Sequence, residues 1–190
     1  GGCAIGSRPI DFHLDALKKM GASIKIKNGY IIASVKKGLK GCLIKFPKVS
    51  VGATENIIIA SCFAKGKTKL KNCSSEPEVK DLTNFLNKQG CKIKWTGKRS
   101  IDIIGVEKLK SATHKVIFDR IETGTYIIAS ALTKGRLKIK NIDPKVISTE
   151  INLLNKMGIN IIRKKNYVIA SYSKKPKSIH IATKPYPGFP

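Results

Sequence analysis

Two stretches of the chain share the same order of apolar and polar positions. Residues 57–72 read IIIASCFAKGKTKLKN, and residues 126–141 read YIIASALTKGRLKIKN, an offset of 69 positions. In both, an apolar run precedes a glycine, and an alternating segment follows. The first run predicts an apolar helix over 54–64 that ends with Gly66 as its C-cap, and KTKLKN predicts a half-buried strand.

A second pattern recurs at nearly the same period. FLNKQGCKIK begins at residue 85, and the related segments ALKKMGASIKIKNGYIIAS and LLNKMGINIIRKKNYVIAS begin at 16 and 153. EPEVKDLTNFLNKQG predicts an amphipathic helix with Pro77 in its first turn, Glu76 and Glu78 at the positive end of its dipole, and Gly90 at its end. CKIKW and SIDIIG predict two strands joined by a turn that contains glycine.

Together the two patterns define a unit of helix, strand, helix, strand and strand, about 69 residues long. The opening segment supplies the last helix and two strands of a preceding copy, and the closing segment reaches two strands of a third. Solenoid repeats are shorter, roughly 20–50 residues. We therefore predict α/β modules, each with its own sheet, that pack around a shared helical core after domain duplication.

Lysine dominates the charge of the chain. The 37 basic and 12 acidic residues give a formal net charge of +25, and only five of the basic residues are arginine. An excess of this size usually indicates a polyanionic partner. However, the lysines are spread along the whole chain, few aromatic residues accompany them, and nucleic-acid readers favour arginine. We expect no specific nucleic-acid partner, and a basic binding module remains the alternative from a different functional class.

The cysteines and histidines suggest neither a disulfide framework nor a zinc site. Cysteine occurs an odd number of times, at Cys3, Cys42, Cys62, Cys73 and Cys91, without CxxC or Cys/His ligand spacing. Cys62 is predicted to be buried, Cys42 and Cys91 adjoin glycines where strands begin, and Cys3 lies in a glycine-rich loop. His13, His114 and His180 are scattered and are interpreted as structural. No apolar run approaches the roughly 20 residues of a membrane span, so we expect no membrane partner. The cysteine pattern fits a reducing cytoplasm, and we expect neither a metal nor a cofactor.

Four motifs carry a specific family resemblance: GGCAIGSRPIDFHL, KVSVGAT, EPEV followed by NFL, and DRIETGT. In this order they resemble the UDP-N-acetylglucosamine 1-carboxyvinyltransferases, the enolpyruvyl transferases of peptidoglycan synthesis. The resemblance implies an inside-out α/β barrel built of βαβαββ units, three in each of two domains. It implies that 1–118 is the end of the first domain, that 119–190 is the start of the second, and that the chain is a piece of a longer protein.

The resemblance also implies a reaction and its residues. The 3-hydroxyl of the sugar adds to C2 of phosphoenolpyruvate while C3 gains a proton, and phosphate then leaves. Cys3 matches the general acid, which also forms an adduct with phosphoenolpyruvate, in a loop that closes over the substrates. Arg8 matches a phosphoenolpyruvate contact. The uridine segment corresponds to Arg8, Pro9, Ile10, Asp11 and Phe12, and the diphosphate segment to Lys48, Val49, Ser50, Val51 and Gly52.

Taken singly, these residues allow structural interpretations as well. Cys3 alone could be a bystander, Arg8 a solvated turn residue, and KVSVGAT a strand with a helix N-cap. Asp119 and Arg120 are interpreted as a structural ion pair rather than as catalytic residues. The sister transferase that uses shikimate 3-phosphate is the enzyme alternative, although it does not work through a loop cysteine, and a decayed fragment is a third possibility.

The family's Lys–Asn pair belongs upstream of Gly1 and its aspartate base beyond Pro190. We therefore expect the partners to be the two small-molecule substrates and the remainder of the same polypeptide, and we expect no turnover by the 190 residues alone.

Overall fold

The computed structural model describes residues 10–189 in full and, of the first nine residues, the backbone of Gly2–Cys3 and Gly6–Ser7. It divides into two compact units, Gly1–Lys115 and Val116–Pro190. The division lies close to the predicted boundary after residue 118. The assignment of the two parts to a first and a second domain remains a prediction.

The first unit contains three helices and eight strands among its described residues. In chain order these are β1 (Gly2–Cys3), β2 (Gly6–Ser7), α1 (Asp11–Lys19), β3 (Ser23–Lys27), β4 (Tyr30–Ser34), β5 (Leu43–Lys45), α2 (Val51–Ser61), β6 (Lys67–Lys71), α3 (Pro77–Lys88), β7 (Lys92–Gly97) and β8 (Ser100–Ile104). Elements β5 to β8 make one complete βαβαββ unit. Their four strands form a sheet in the order β5-β6-β8-β7, in which only β5 and β6 are parallel.

The second unit repeats most of this arrangement. It contains α4 (Arg120–Leu132), β9 (Arg136–Lys140), α5 (Ser148–Lys156), β10 (Asn160–Lys164) and β11 (Tyr167–Ser171). Its antiparallel sheet has the order β10-β11-β9, which is the order of β7-β8-β6 in the first unit. The predicted α/β repeat is confirmed, and the sheets of the described residues are open, without closure into a barrel.

The helix ends show the same repeat in the backbone. The glycines after α1, α3 and α5 are Gly21, Gly90 and Gly158, and their φ angles are +100°, +101° and +98°. A left-handed residue just past the last helical residue lets the chain reverse into the following strand. Glycine adopts this conformation without the steric cost that a Cβ imposes. The sequence spacing of these glycines thus marks equivalent helix ends.

One predicted boundary is wrong. Helix α2 spans Val51–Ser61 rather than 54–64, and its C-cap is Cys62 instead of Gly66. The helix begins earlier because the Ser50 side chain caps it. It ends earlier because the chain after it is held in an extended path by two backbone hydrogen bonds of 2.8 Å. The Lys65 N–H donates to the Leu39 carbonyl, and the Gly41 N–H donates to the Lys65 carbonyl. Gly66 has a φ of +86° in the turn before β6.

Each unit has its own hydrophobic core. In the first, residues of α1, α2 and α3 pack against the inward face of the four-stranded sheet. Alternation along β6 buries Thr68 and Leu70 and leaves Lys67, Lys69 and Lys71 exposed, as predicted for a half-buried strand. In the second unit the core is formed around Ile127, Ile147, Ile151 and Val168.

Substitution of Gly105 by alanine is expected to lower the free energy of unfolding by about 1–3 kcal/mol or more, as overpacking of a core does. An ideal Cβ at Gly105 would overlap the Ala64 carbonyl oxygen, so the backbone would have to move. Gly97→Ala is the matched control, because its Cβ would meet only Ser100, at 3.7 Å. Urea unfolding followed by the fluorescence of Trp95, the only tryptophan, measures the difference. Equal midpoints for the two variants would contradict the expected clash.

Candidate functional site

The glycine-rich segment at the start of the chain forms a short hairpin. The backbones of Gly2 and Cys3 pair with those of Ser7 and Gly6, respectively, in antiparallel register. Cys3, the predicted acid, therefore belongs to a strand pair rather than to a loop without pairing. Arg8 and Pro9 lie outside the described residues, so their predicted roles rest on the sequence.

The remainder of the predicted uridine segment opens α1. The Ile10 carbonyl accepts hydrogen bonds from the backbone N–H groups of His13 and Leu14, at 3.0 and 3.1 Å. Asp11 is exposed in the first turn, where a carboxylate interacts favourably with the helix dipole. Phe12 is half-buried and packs against the core of the first unit. This apolar contact fixes the start of the helix.

The predicted diphosphate segment opens α2. Ser50 is its N-cap: the side-chain oxygen accepts from the Ala53 N–H at 3.3 Å, and the backbone carbonyl accepts from the Thr54 hydroxyl at 2.7 Å. Because a serine hydroxyl both accepts and donates, its proton can still be offered to an anion. Lys48 is exposed, and Val51 packs against the core. The start of α2 therefore places a cation, a hydroxyl and helix N–H groups together.

The structure brings these two segments side by side. Helices α1 and α2 pack together, and a Cβ placed on Gly52 would lie 3.5 Å from His13 Cε1 and 3.8 Å from its Nε2. The Asn56 side-chain amide bonds to His13 Nδ1 at 2.6 Å. Sequence reasoning interpreted His13 as structural and did not single out Asn56. The available signal was spacing, because Gly52 and Asn56 share one face of a helix at i and i+4.

The EPEV motif is linked to α2 by hydrogen bonds through Ser74. The Thr54 hydroxyl accepts the Ser74 N–H at 3.0 Å, and the Ser74 hydroxyl donates to the buried Glu76 carboxylate. Glu76 is in turn the N-cap residue of α3, and its backbone carbonyl accepts from Val79 and Lys80. The EPEV motif thus stabilises the first turn of α2, and this turn belongs to the KVSVGAT motif.

Burial raises the pKa of the Glu55 carboxyl, and the nearby carboxylates of Glu78 and Glu76 raise it further. A carboxyl with a raised pKa binds its proton more tightly in the folded state. Stability therefore falls as the pH rises from the ordinary value of 4.5 through the raised one. We expect Glu55→Gln to be more stable than wild type at pH 7, with an advantage that disappears at pH 4.

Urea midpoints from Trp95 fluorescence at both pH values measure this effect. Glu107→Gln makes the same chemical change at an exposed position of the same unit. A Glu55→Gln advantage that is equal at pH 4 and pH 7, or that Glu107→Gln reproduces, would contradict the effect of burial.

The other four cysteines are structural thiols. Cys62, Cys73 and Cys91 are buried, and Cys42 is half-buried directly before β5. Burial raises the pKa of Cys73 to about 12 and raises those of Cys62 and Cys42 as well. Since the thiolate is the reactive form, these thiols react slowly at neutral pH. The predicted burial of Cys62 is confirmed.

Asp119 and Arg120 each have partners within the second unit. The Asp119 carboxylate caps α4 by accepting the N–H groups of Ile121 and Glu122, at 2.7 and 3.1 Å. The buried Arg120 guanidinium lies 3.7 Å from the Glu150 carboxylate of α5 and 5.7 Å from the Tyr186 ring. The ion pair therefore joins two helices of the second unit.

The two other histidines lie away from the starts of α1 and α2 in the sequence. His114 Nε2 lies 3.0 Å from Asp81, and the His114 ring contacts Phe85. His180 is exposed. Among the described residues, no cluster of three or more His, Cys, Asp or Glu residues could hold a metal ion. None of the described helices is long and apolar enough to cross a membrane.

The sequence matches the profile of one protein family, EPSP synthase (3-phosphoshikimate 1-carboxyvinyltransferase), over residues 1–190. The chain belongs to the EPSP synthase family. Solved structures share the fold of the chain. The enolpyruvyl transferase NikO from Streptomyces tendae matches 96% of the chain and 46% of its own length with a TM-score of 0.84 and 23% identity. An EPSP synthase from Acinetobacter baumannii matches 92% of the chain and 42% of its own length, with a TM-score of 0.67 and 20% identity.

Curated relatives are closer in sequence than these structures. A protein of Pelagibacter ubique (strain HTCC1062) is 62% identical over 190 residues, and one of Endomicrobium trichonymphae is 48% identical over the same length. Both are named UDP-N-acetylglucosamine 1-carboxyvinyltransferase, which confirms the resemblance seen in the motifs. The chain spans 46% of the length of each.

Proposed function

We propose that this family member is the central part of an enzyme that transfers the enolpyruvyl group of phosphoenolpyruvate to the 3-hydroxyl of UDP-N-acetylglucosamine. The observation that carries the proposal is the pairing of the two predicted nucleotide-sugar segments at the adjacent starts of α1 and α2. The names of the two curated relatives support the same substrate. By this function the protein acts in the cytoplasm, in the first committed step of peptidoglycan synthesis, which cell growth and division require.

The reaction is an addition followed by an elimination. The sugar oxygen bonds to C2 of phosphoenolpyruvate, its proton passes to a base, and Cys3 donates a proton to C3. In the second step a proton leaves C3, the bond from C2 to the phosphate oxygen breaks, and the enol ether forms. The chain's own residues bind and orient the substrates. Arg8 suits phosphate or carboxylate through bidentate bonds, and Lys48, Ser50 and the start of α2 suit the diphosphate.

The rest of the polypeptide completes this site. By the family pattern, residues 1–118 finish a first domain and 119–190 begin a second, and the base comes from the part that follows. We therefore expect the 190-residue chain alone to release no phosphate from phosphoenolpyruvate. Release by the isolated chain would contradict this division of roles.

The test uses the full-length protein, with the flanking coding sequence restored. Phosphate release from phosphoenolpyruvate is measured with UDP-N-acetylglucosamine and, separately, with shikimate 3-phosphate. We expect release only with the nucleotide sugar. Release only with shikimate 3-phosphate would replace the proposal by the sister reaction, after which the matching family is named. No release with either acceptor would leave the fold without this chemistry.

A further inference from the structure

A side-chain hydrogen bond between His13 and Asn56 joins α1 and α2 beside the proposed site. Asn56 Nδ2 lies 2.6 Å from His13 Nδ1. An amide nitrogen donates its hydrogens, so Nδ1 is the acceptor in this bond. The two residues are 43 positions apart in the chain and belong to different helices. This bond therefore joins the first turn of α1 to the second turn of α2.

The ring also lies close to Gly52. Gly52 lies one helical turn before Asn56, and its missing side chain leaves space for the imidazole. A Cβ at this position would lie at ordinary contact distance from the ring, 3.5 Å from Cε1. The His13 ring is thus bonded to Asn56 and lies beside the start of α2.

These contacts lie between two segments that are proposed to bind different parts of one ligand. His13 directly follows Phe12, the last residue of the uridine segment, and Gly52 is the last residue of the diphosphate segment. The spacing between these segments must match the distance between the uridine and the diphosphate of one ligand. A small displacement of one helix end against the other would weaken both sets of contacts.

We propose that His13 and Asn56 are a positioning pair that holds the starts of α1 and α2 at the separation a nucleotide diphosphate sugar requires. This inference rests on the proposed function. In this proposal His13 holds α2 in place through the bond from its Nδ1 to Asn56, and it does not contact the ligand. Asn56 contributes the donor that selects the ring's orientation.

The experiment compares two replacements of His13 in the full-length protein. Asparagine places an acceptor near the position of Nδ1 and keeps the bond to Asn56, whereas glutamine reaches toward the position of Nε2 and does not. Loss of one hydrogen bond corresponds to about a tenfold change in binding. We expect His13→Gln and Asn56→Leu to raise the KM for UDP-N-acetylglucosamine about tenfold, with kcat and the KM for phosphoenolpyruvate nearly unchanged.

The matched control is Asn84→Leu, which makes the same change on the exposed face of α3. Wild-type kinetics in His13→Asn and Asn84→Leu, with raised KM in the other two variants, would support the proposal. A wild-type KM in His13→Gln combined with a raised KM in His13→Asn would overturn it, because Nε2 would then contact the ligand. Asn56→Leu kinetics equal to those of Asn84→Leu would also overturn it. A wild-type enzyme inactive toward the nucleotide sugar would instead refute the proposed function, and the positioning role with it.

Discussion

Replacement of Cys3 by alanine in the full-length protein is expected to lower kcat for enolpyruvyl transfer by about 10²–10⁴-fold, the usual contribution of a general acid. A methyl group cannot deliver the proton that C3 of phosphoenolpyruvate needs as the sugar oxygen adds to C2. The binding of UDP-N-acetylglucosamine should change little, since its proposed contacts lie at the starts of α1 and α2. Phosphate release at saturating substrates measures kcat, and equilibrium binding of the nucleotide sugar measures its affinity.

Cys42→Ala is the matched control for this substitution. Cys42 is a thiol of the same unit, half-buried, with a pKa that burial raises. We expect wild-type kcat in Cys42→Ala. An epoxide phosphonate should alkylate the wild-type protein and fail to label Cys3→Ala. Label on Cys42 or Cys91, or undiminished turnover in Cys3→Ala, would show that the acid is another residue.

Replacement of Ile57 by alanine is expected to lower the free energy of unfolding of the first unit by about 2–5 kcal/mol. Ile57 is 0% exposed in the middle of α2, where it packs in the core between helix and sheet. The shorter side chain removes buried apolar surface and leaves a cavity that the surrounding close-packed side chains fill only in part. Urea unfolding followed by Trp95 fluorescence reports on this unit, because Trp95 lies on β7.

Ile59→Ala provides the control on the same helix. Ile59 is 49% exposed, so the identical substitution removes much less buried surface and creates no enclosed cavity. We expect a loss below about 1 kcal/mol, in keeping with surface positions. Comparable losses in the two variants would mean that helix propensity, rather than burial, determines the contribution of these residues.

The helices and strands were largely predictable because each one leaves a local signal. Strand β6 alternates with a period of two, and α3 carries its own start and stop residues in Pro77 and Gly90. The ends of α2 were harder to predict. Its apolar run continues past Ser61, and the helix stops there only because Lys65 bonds to residues of a distant segment.

The candidate site was predictable only in part. The motifs identified the segments at 8–12 and 48–52, because a family resemblance resides in residue order and spacing. Nothing in either segment indicated that His13 would lie against Gly52, or that Ser74 would bond to Thr54. Likewise, nothing in the sequence indicated that Arg120 would lie beside Glu150.

The sequence by itself therefore determined the repeat, the types of its elements, the family and the segments that carry the chemistry. All of these depend on residues close together in the chain, where periodicity, caps and motif spacing operate. The tertiary structure decided which segments meet. The His13–Asn56 bond spans 43 positions, and it forms because the buried faces of α1 and α2 pack on one core. Local preferences do not encode such contacts, since they arise only when the whole unit buries its apolar surface.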